Sequence, residues 1–198
     1  MAVVQVGMKQ DRLRAVRNGG LGLCLTALGL AAACLPAMVP PAFAQEEPAE
    51  TDPRPDAIIR SGLPVPRFVT LRSGEVNVRT GPGVRYPVDW VFVRQGMPVE
   101  VTAEFDTWRR IRDWEGTQGW VHQSMLSGRR AVVVLGEIRT LRQSADSSSP
   151  ALAQAEPGVM GRLLSCQDAW CLVEMQGIRG WLRRDEIWGV YPDERVED

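Results

Sequence analysis

A tandem repeat constrains this chain of 198 residues more than any other feature. Arg79, Pro87, Gly96, Trp108, Gly116 and Gly119-Trp120 recur in the same order as Arg142, Pro150, Gly158, Trp170, Gly177 and Gly180-Trp181, offset by 61 to 63 residues. Ordered recurrence of this kind marks one structural unit used twice. A unit of about 60 residues holds one small core with little stability to spare. Local pattern then sets the class. Val76-Asn77-Val78-Arg79 alternates apolar and polar residues, as do residues 99–105, which is the period of a half-buried strand. Ser73-Gly74, Gly81-Pro82-Gly83, Gln95-Gly96, Glu115-Gly116 and Gln118-Gly119 separate such runs with turn chemistry. Beyond residue 44 no run of ten residues carries a helical period. The expected fold is all-β: two tandem small β-barrels over residues 68–135 and 136–192, a boundary near Gly136, and an acidic tail over 193–198.

The amino terminus reads as an export signal over residues 1–44. Lys9, Arg12, Arg14 and Arg17 form a basic segment, residues 19–35 an uncharged apolar run, and Ala42-Phe43-Ala44 a small-residue cleavage site. The apolar run of about 17 residues falls short of the roughly 20 of a spanning helix. Two other readings stay open: lipid anchoring through Cys34, which follows Ala31-Ala32-Ala33, and retention as an uncleaved anchor. All three put the folded part outside the cytoplasm, and cleavage leaves a periplasmic chain without a membrane span. Residues 45–67 combine Glu46, Glu47, Glu50, Asp52 and Asp56 with Pro48, Pro53, Pro55, Pro64 and Pro66, the composition of a flexible linker. Leu63 and Val65 are candidates to dock on the first barrel.

Cleavage after Ala44 leaves 19 arginines, no lysine and 23 acids, a net charge of −4. That balance excludes a nucleic-acid binder with a broad basic field. One histidine and, after cleavage, two cysteines leave no set for a metal, and neither a metal nor another cofactor is expected. His122 lacks a glycine-flanked serine to serve, so it is expected as a surface histidine in the loop before the last strand. An enzyme is not expected.

The run Val76-Asn77-Val78-Arg79-Thr80-Gly81-Pro82-Gly83, with Tyr86-Pro87, Trp108 and Gly119-Trp120-Val121, closely resembles the bacterial SH3 domain. The second copy is degenerate: Thr140-Leu141-Arg142 stands for the first motif, residues 143–149 lack Gly-Pro-Gly, and Gly180-Trp181-Leu182 keeps the closing one. The resemblance implies SH3-like barrels and, in an exported protein, a cell-wall or protein-binding module.

Gly81 and Gly83 flank Pro82 in a sequence suited to a tight turn with a glycine at positive φ. Gly119 and Gly180 are expected to let the following tryptophan ring pack across a neighbouring strand. In the strand around Trp108, alternation puts Ile111 on one face and Trp108, Arg110 and Arg112 on the other, with Tyr86, Trp90 and Trp114 nearby in sequence. Such a face suits stacking on a sugar or peptide and pairing with a carboxylate; alternatively the aromatics cap the barrel and the arginines stay solvated. The second unit has Trp170, Leu172 and Glu174 at these positions and so loses the arginine pair. Cys166 and Cys171 bracket a predicted hairpin tip in an oxidising compartment, which favours a disulfide. At the repeat offset stand Glu104 and Arg109, expected as an exposed charge pair of small worth, about 0–1 kcal/mol. The function expected is non-catalytic binding of cell-wall peptidoglycan peptide or glycan through the first barrel. The alternative is a protein–protein adaptor in an envelope complex.

Overall fold

The structure, a computed structural model, describes residues 2–4, 12–14 and 61–197. Most of the expected signal, Cys34 included, and linker residues 45–60 lie outside the described residues. The first sheet comprises β2 (Arg12–Arg14), β3 (Arg67–Leu71), β4 (Val76–Arg79), β5 (Val88–Phe92), β6 (Pro98–Phe105), β7 (Trp108–Arg112), β8 (Gln118–His122) and β9 (Leu126–Ser127), in the order β2-β5-β4-β8-β7-β6-β3-β9. The second comprises β1 (Ala2–Val4), β10 (Ala131–Val134), β11 (Arg139–Arg142), β12 (Ala151–Ala155), β13 (Met160–Gln167), β14 (Trp170–Met175), β15 (Ile178–Arg183) and β16 (Ile187–Trp188), in the order β1-β12-β11-β15-β14-β13-β10-β16. The described helices are single 3-10 turns, Gln123–Met125 and Arg184–Glu186. No described helix is long and apolar enough to cross a membrane.

The two orders match strand for strand, and so do their irregularities. Register shifts fall between Val78/Arg79 and between Leu141/Arg142, then between Val101/Ala103 and between Leu163/Ser165. A bulge at the same step of each strand gives each sheet the same bend. β10 occupies in the second sheet the place of β3 in the first. The second sheet therefore includes a strand, Ala131–Val134, that lies ahead of the Gly136 boundary expected from the sequence marks.

Alternation along each strand supplies two separate cores. Leu71, Val78, Phe92, Val101, Ile111 and Val121 fill the first; Val132, Leu141, Leu163, Cys171, Val173 and Leu182 belong to the second. Each large side chain buried in this way contributes about 1.5–3 kcal/mol. The glycine before each repeat tryptophan serves the strand crossing rather than the ring. A Cβ at Gly119 would stand 2.3 Å from Val78 Cγ1, and one at Gly180 would stand 2.9 Å from Leu141 Cβ. Only glycine lets β8 reach β4, and β15 reach β11, at these points.

Each β6–β7 or β13–β14 hairpin carries its own staple. Cys166 and Cys171 face each other in register, 4.1 Å apart at Cα, and form the disulfide. At the matching pair in the first unit, Arg109 Nε lies 3.2 Å from Glu104 Oε1. Contrary to the exposed pair expected, Glu104 is 3% and Arg109 4% exposed. Glu104 also accepts from Ser61 N (2.7 Å) and Ser61 Oγ (2.8 Å), and it pairs with Arg67 Nη2 at 2.8 Å. Ser61 is thus the linker residue that docks, while Leu63 and Val65 stay exposed. Burial by itself would raise the Glu104 pKa, but the two Ser61 bonds and the arginines hold it below its ordinary value of 4.5.

The two barrels meet across an aromatic contact. Phe68 packs edge-on to Trp188 (4.8 Å between centroids) and tilted against Tyr191 (4.6 Å). Glu100, buried in β6, accepts from Tyr191 Oη at 2.9 Å through one oxygen and from Arg112 Nε at 2.9 Å through the other. Burial first, then the Glu100 carboxylate, raises the Tyr191 pKa above its ordinary value. In the acidic tail, Glu194 grips Arg130 with both oxygens, and Val196 O accepts from Cys166 N at 2.9 Å.

Two outcomes follow from the staples. The Glu104 pKa is depressed on folding, so its stabilisation is full above about pH 4.5 and is lost as pH falls through the folded value. Glu104→Gln lowers unfolding free energy by about 3 kcal/mol at neutral pH and flattens the acid limb, read by urea unfolding between about pH 3 and 7. Cys166→Ala with Cys171→Ala costs about 2 kcal/mol, the chain entropy released by so short a loop, in the same assay.

Candidate functional site

The outer face of β7 is the one the alternation predicts. Arg109 and Ile111 are buried, Trp108 is half-buried, and Arg110 and Arg112 are exposed. The bulge sits in β6, so the β7 alternation runs unbroken. Cross-strand pairing extends this face onto β8, because Trp108 lies opposite His122 and Arg110 opposite Trp120. Trp120 in turn lies opposite Arg79 on β4. Trp108 and His122 meet edge to face at 5.6 Å. Arg110 has no side-chain partner among the described residues, so one solvated guanidinium stands between two indoles across neighbouring strands.

The other expected ligand residues serve different ends. Arg112 gives its guanidinium to Glu100, as Nε at 2.9 Å and Nη2 at 2.5 Å. Trp90 packs on the first core rather than joining the arginine face. Trp114 also packs on that core and meets Trp188 of the second barrel at 6.4 Å. Tyr86 folds into its own loop. A Cβ at Gly81 would stand 2.5 Å from the Tyr86 ring, and Arg85 lies over that ring at 5.2 Å. Neither Gly81 nor Gly83 takes positive φ. Gly81 is required by the ring lying against it, not by the turn.

Arg79 holds the same loop from beneath, donating from Nη1 to Tyr86 O (2.7 Å) and Val84 O (3.2 Å). Arg142 repeats this in the second unit by donating to Ser149 O at 2.8 Å, but Ser149 stands in place of Tyr86. There the outer row reads Arg142, Trp181, Leu172. Glu174 is drawn to Arg179 at 3.0 Å. The second barrel therefore keeps the indole and loses the free cation.

Trp120 and His122 are face residues that alternation along β7 did not reach, since only the strand register places them. The signal lay in Gly119-Trp120, whose ring points away from a glycine needed on the other side. His122 closes β8 instead of lying in a loop. Its Nδ1 accepts from Ser124 N at 3.3 Å and lies 2.7 Å from Ser124 Oγ, capping the 3-10 turn. Among the described residues no carboxylate orients the ring, and no group of three or more metal-ligating side chains occurs.

Residues 72–128 and 136–189 each match the bacterial SH3 domain. Among solved structures the chain is similar to NlpC1 and NlpC2 from Trichomonas vaginalis, each at 10% identity, with TM-scores of 0.30 and 0.29. The likeness covers 67% and 62% of this chain and 49% and 48% of those proteins, so the chain spans about half their length. No curated protein is significantly similar to it.

The Gly81 contact is testable. Gly81→Ala costs about 1–3 kcal/mol by overpacking against Tyr86, and most of that cost disappears in a Tyr86→Ala background, as a double-mutant cycle in urea unfolding reads.

Proposed function

The chain belongs to the bacterial SH3 domain family, and from that premise we propose that it is a non-catalytic binding module of the cell envelope, working in the periplasm on peptidoglycan. The observation that carries this reading is the unpartnered Arg110 on the outer face of β7, bordered by Trp108 and Trp120. Indole faces stack on the C–H surface of a sugar or on a peptide plane. A guanidinium beside them takes a carboxylate by charge-assisted hydrogen bonds. Peptidoglycan offers both, because its glycan carries peptides ending in carboxylates. The second barrel, with Leu172 and Glu174 at the equivalent positions, has no cation for the acid on that face. Residues 1–44 supply the export signal, and a disulfide at Cys166–Cys171 suits an oxidising compartment.

The test is co-sedimentation of the mature chain with purified peptidoglycan at low and physiological salt. Wild type pellets at both, Trp108→Ala with Arg110→Ala weakens retention by about tenfold or more, and Trp170→Ala leaves it unchanged. No pelleting, or pelleting that salt abolishes and the double variant retains, overturns the reading.

A further inference from the structure

Four arginines converge where the barrels meet, in a chain whose mature form is net negative. Two adjoining cavities of about 430 Å³ each share Arg129, Arg130 and Arg162 in their walls. Arg94 lines the first as well, and Leu163 and Leu164 line the second. These side chains are not equally engaged. Arg129 has no side-chain partner among the described residues. Arg162, 57% exposed, lies 3.9 Å from Glu174, which Arg179 already holds at 3.0 Å. Arg130 is committed to Glu194 and to Gly189 O, yet its Nε is buried without a hydrogen-bond partner among the described residues. Unsatisfied donors of this kind are costly unless an acceptor fills them.

The protein already seats an acidic peptide at this wall. Glu194 meets Arg130 as a fork, Nη1 to Oε1 and Nη2 to Oε2, and two residues later Val196 pairs through its backbone with Cys166. The carboxylate-on-guanidinium half of this arrangement is what the neighbouring Arg129 and Arg162 leave unfilled, while β13 itself is already paired on both sides at Arg162, with β10 and β14. Apolar Met160, Leu163 and Leu164 line the same walls. They suit a peptide's side chains and give nothing to a bare phosphate chain.

We propose that the cleft between the barrels is a second binding site, independent of the β7 face, which takes an extended acidic peptide through carboxylate pairing with Arg129 and Arg162. It exists only in the tandem arrangement, because Arg94 comes from the first barrel and Arg162 from the second.

The test uses fluorescein-labelled hexaglutamate, titrated into the full chain and followed by anisotropy at about 50 mM salt, where charge pairing is weakly screened. Saturable binding is expected. Arg129→Ala with Arg162→Ala weakens it by about tenfold or more, with the unfolding midpoint unchanged because both side chains are exposed. Arg85→Ala with Arg183→Ala removes the same net charge elsewhere and binds as wild type. Absence of saturable binding, equal loss in the two double variants, or displacement by less tripolyphosphate than unlabelled hexaglutamate overturns the proposal.

Discussion

One carboxylate joins the two halves of this protein. Glu100 lies on β6 of the first barrel, buried, with one oxygen toward Arg112 of its own sheet and the other toward Tyr191 of the second barrel. A buried charge is tolerated only when its acceptors are filled. Both barrels must therefore be in place for Glu100 to be satisfied. The aromatic contact of Phe68 with Trp188 and Tyr191 lies beside this bond, since Phe68 stands opposite Glu100 in the strand pairing. The same bond sets what the outer face presents, since Arg112 turned toward Glu100 leaves Arg110 as the free cation of β7.

Duplication has preserved geometry and changed chemistry. The strand orders, the bulges and the close approach at Gly119 and Gly180 are common to both units, because each is needed to bend and close a small sheet. Side chains that only fill or staple have diverged. Phe92 of the first core corresponds to Ala155 in the second, and fully buried Met175 stands where the first unit has Asp113. A disulfide in one hairpin answers a buried ion pair in the other. Closure fixes the backbone pattern, and several side-chain solutions meet the same volume and the same need for a cross-strand tie.

Much of the fold was legible because its signals are local. Turn glycines, period-two alternation and the repeat marks specify strands and their order, and the opposed Cys166 and Cys171 follow from a hairpin between them. The β7 face was legible for the same reason. What escaped depends on contacts between segments distant in sequence. Trp114 looks like a surface residue until Trp188 of the second barrel meets it, and Arg112 looks uncommitted until strand register sets Glu100 opposite it. Glu104 looks exposed until Ser61 returns from the linker to cover it. Gly81 looks like a turn residue until Tyr86 lies against it. Strand register brought Trp120 and His122 to the face, and register between non-consecutive strands is not written in either strand alone.

The Trp114–Trp188 contact gives the protein an optical property. Two indoles at 6.4 Å, their planes inclined at 67°, couple electronically, and the strength of that coupling falls steeply with separation. One ring belongs to each barrel, so any parting of the two changes the circular dichroism of the indole bands without a label. The joint between the domains carries its own chromophore pair.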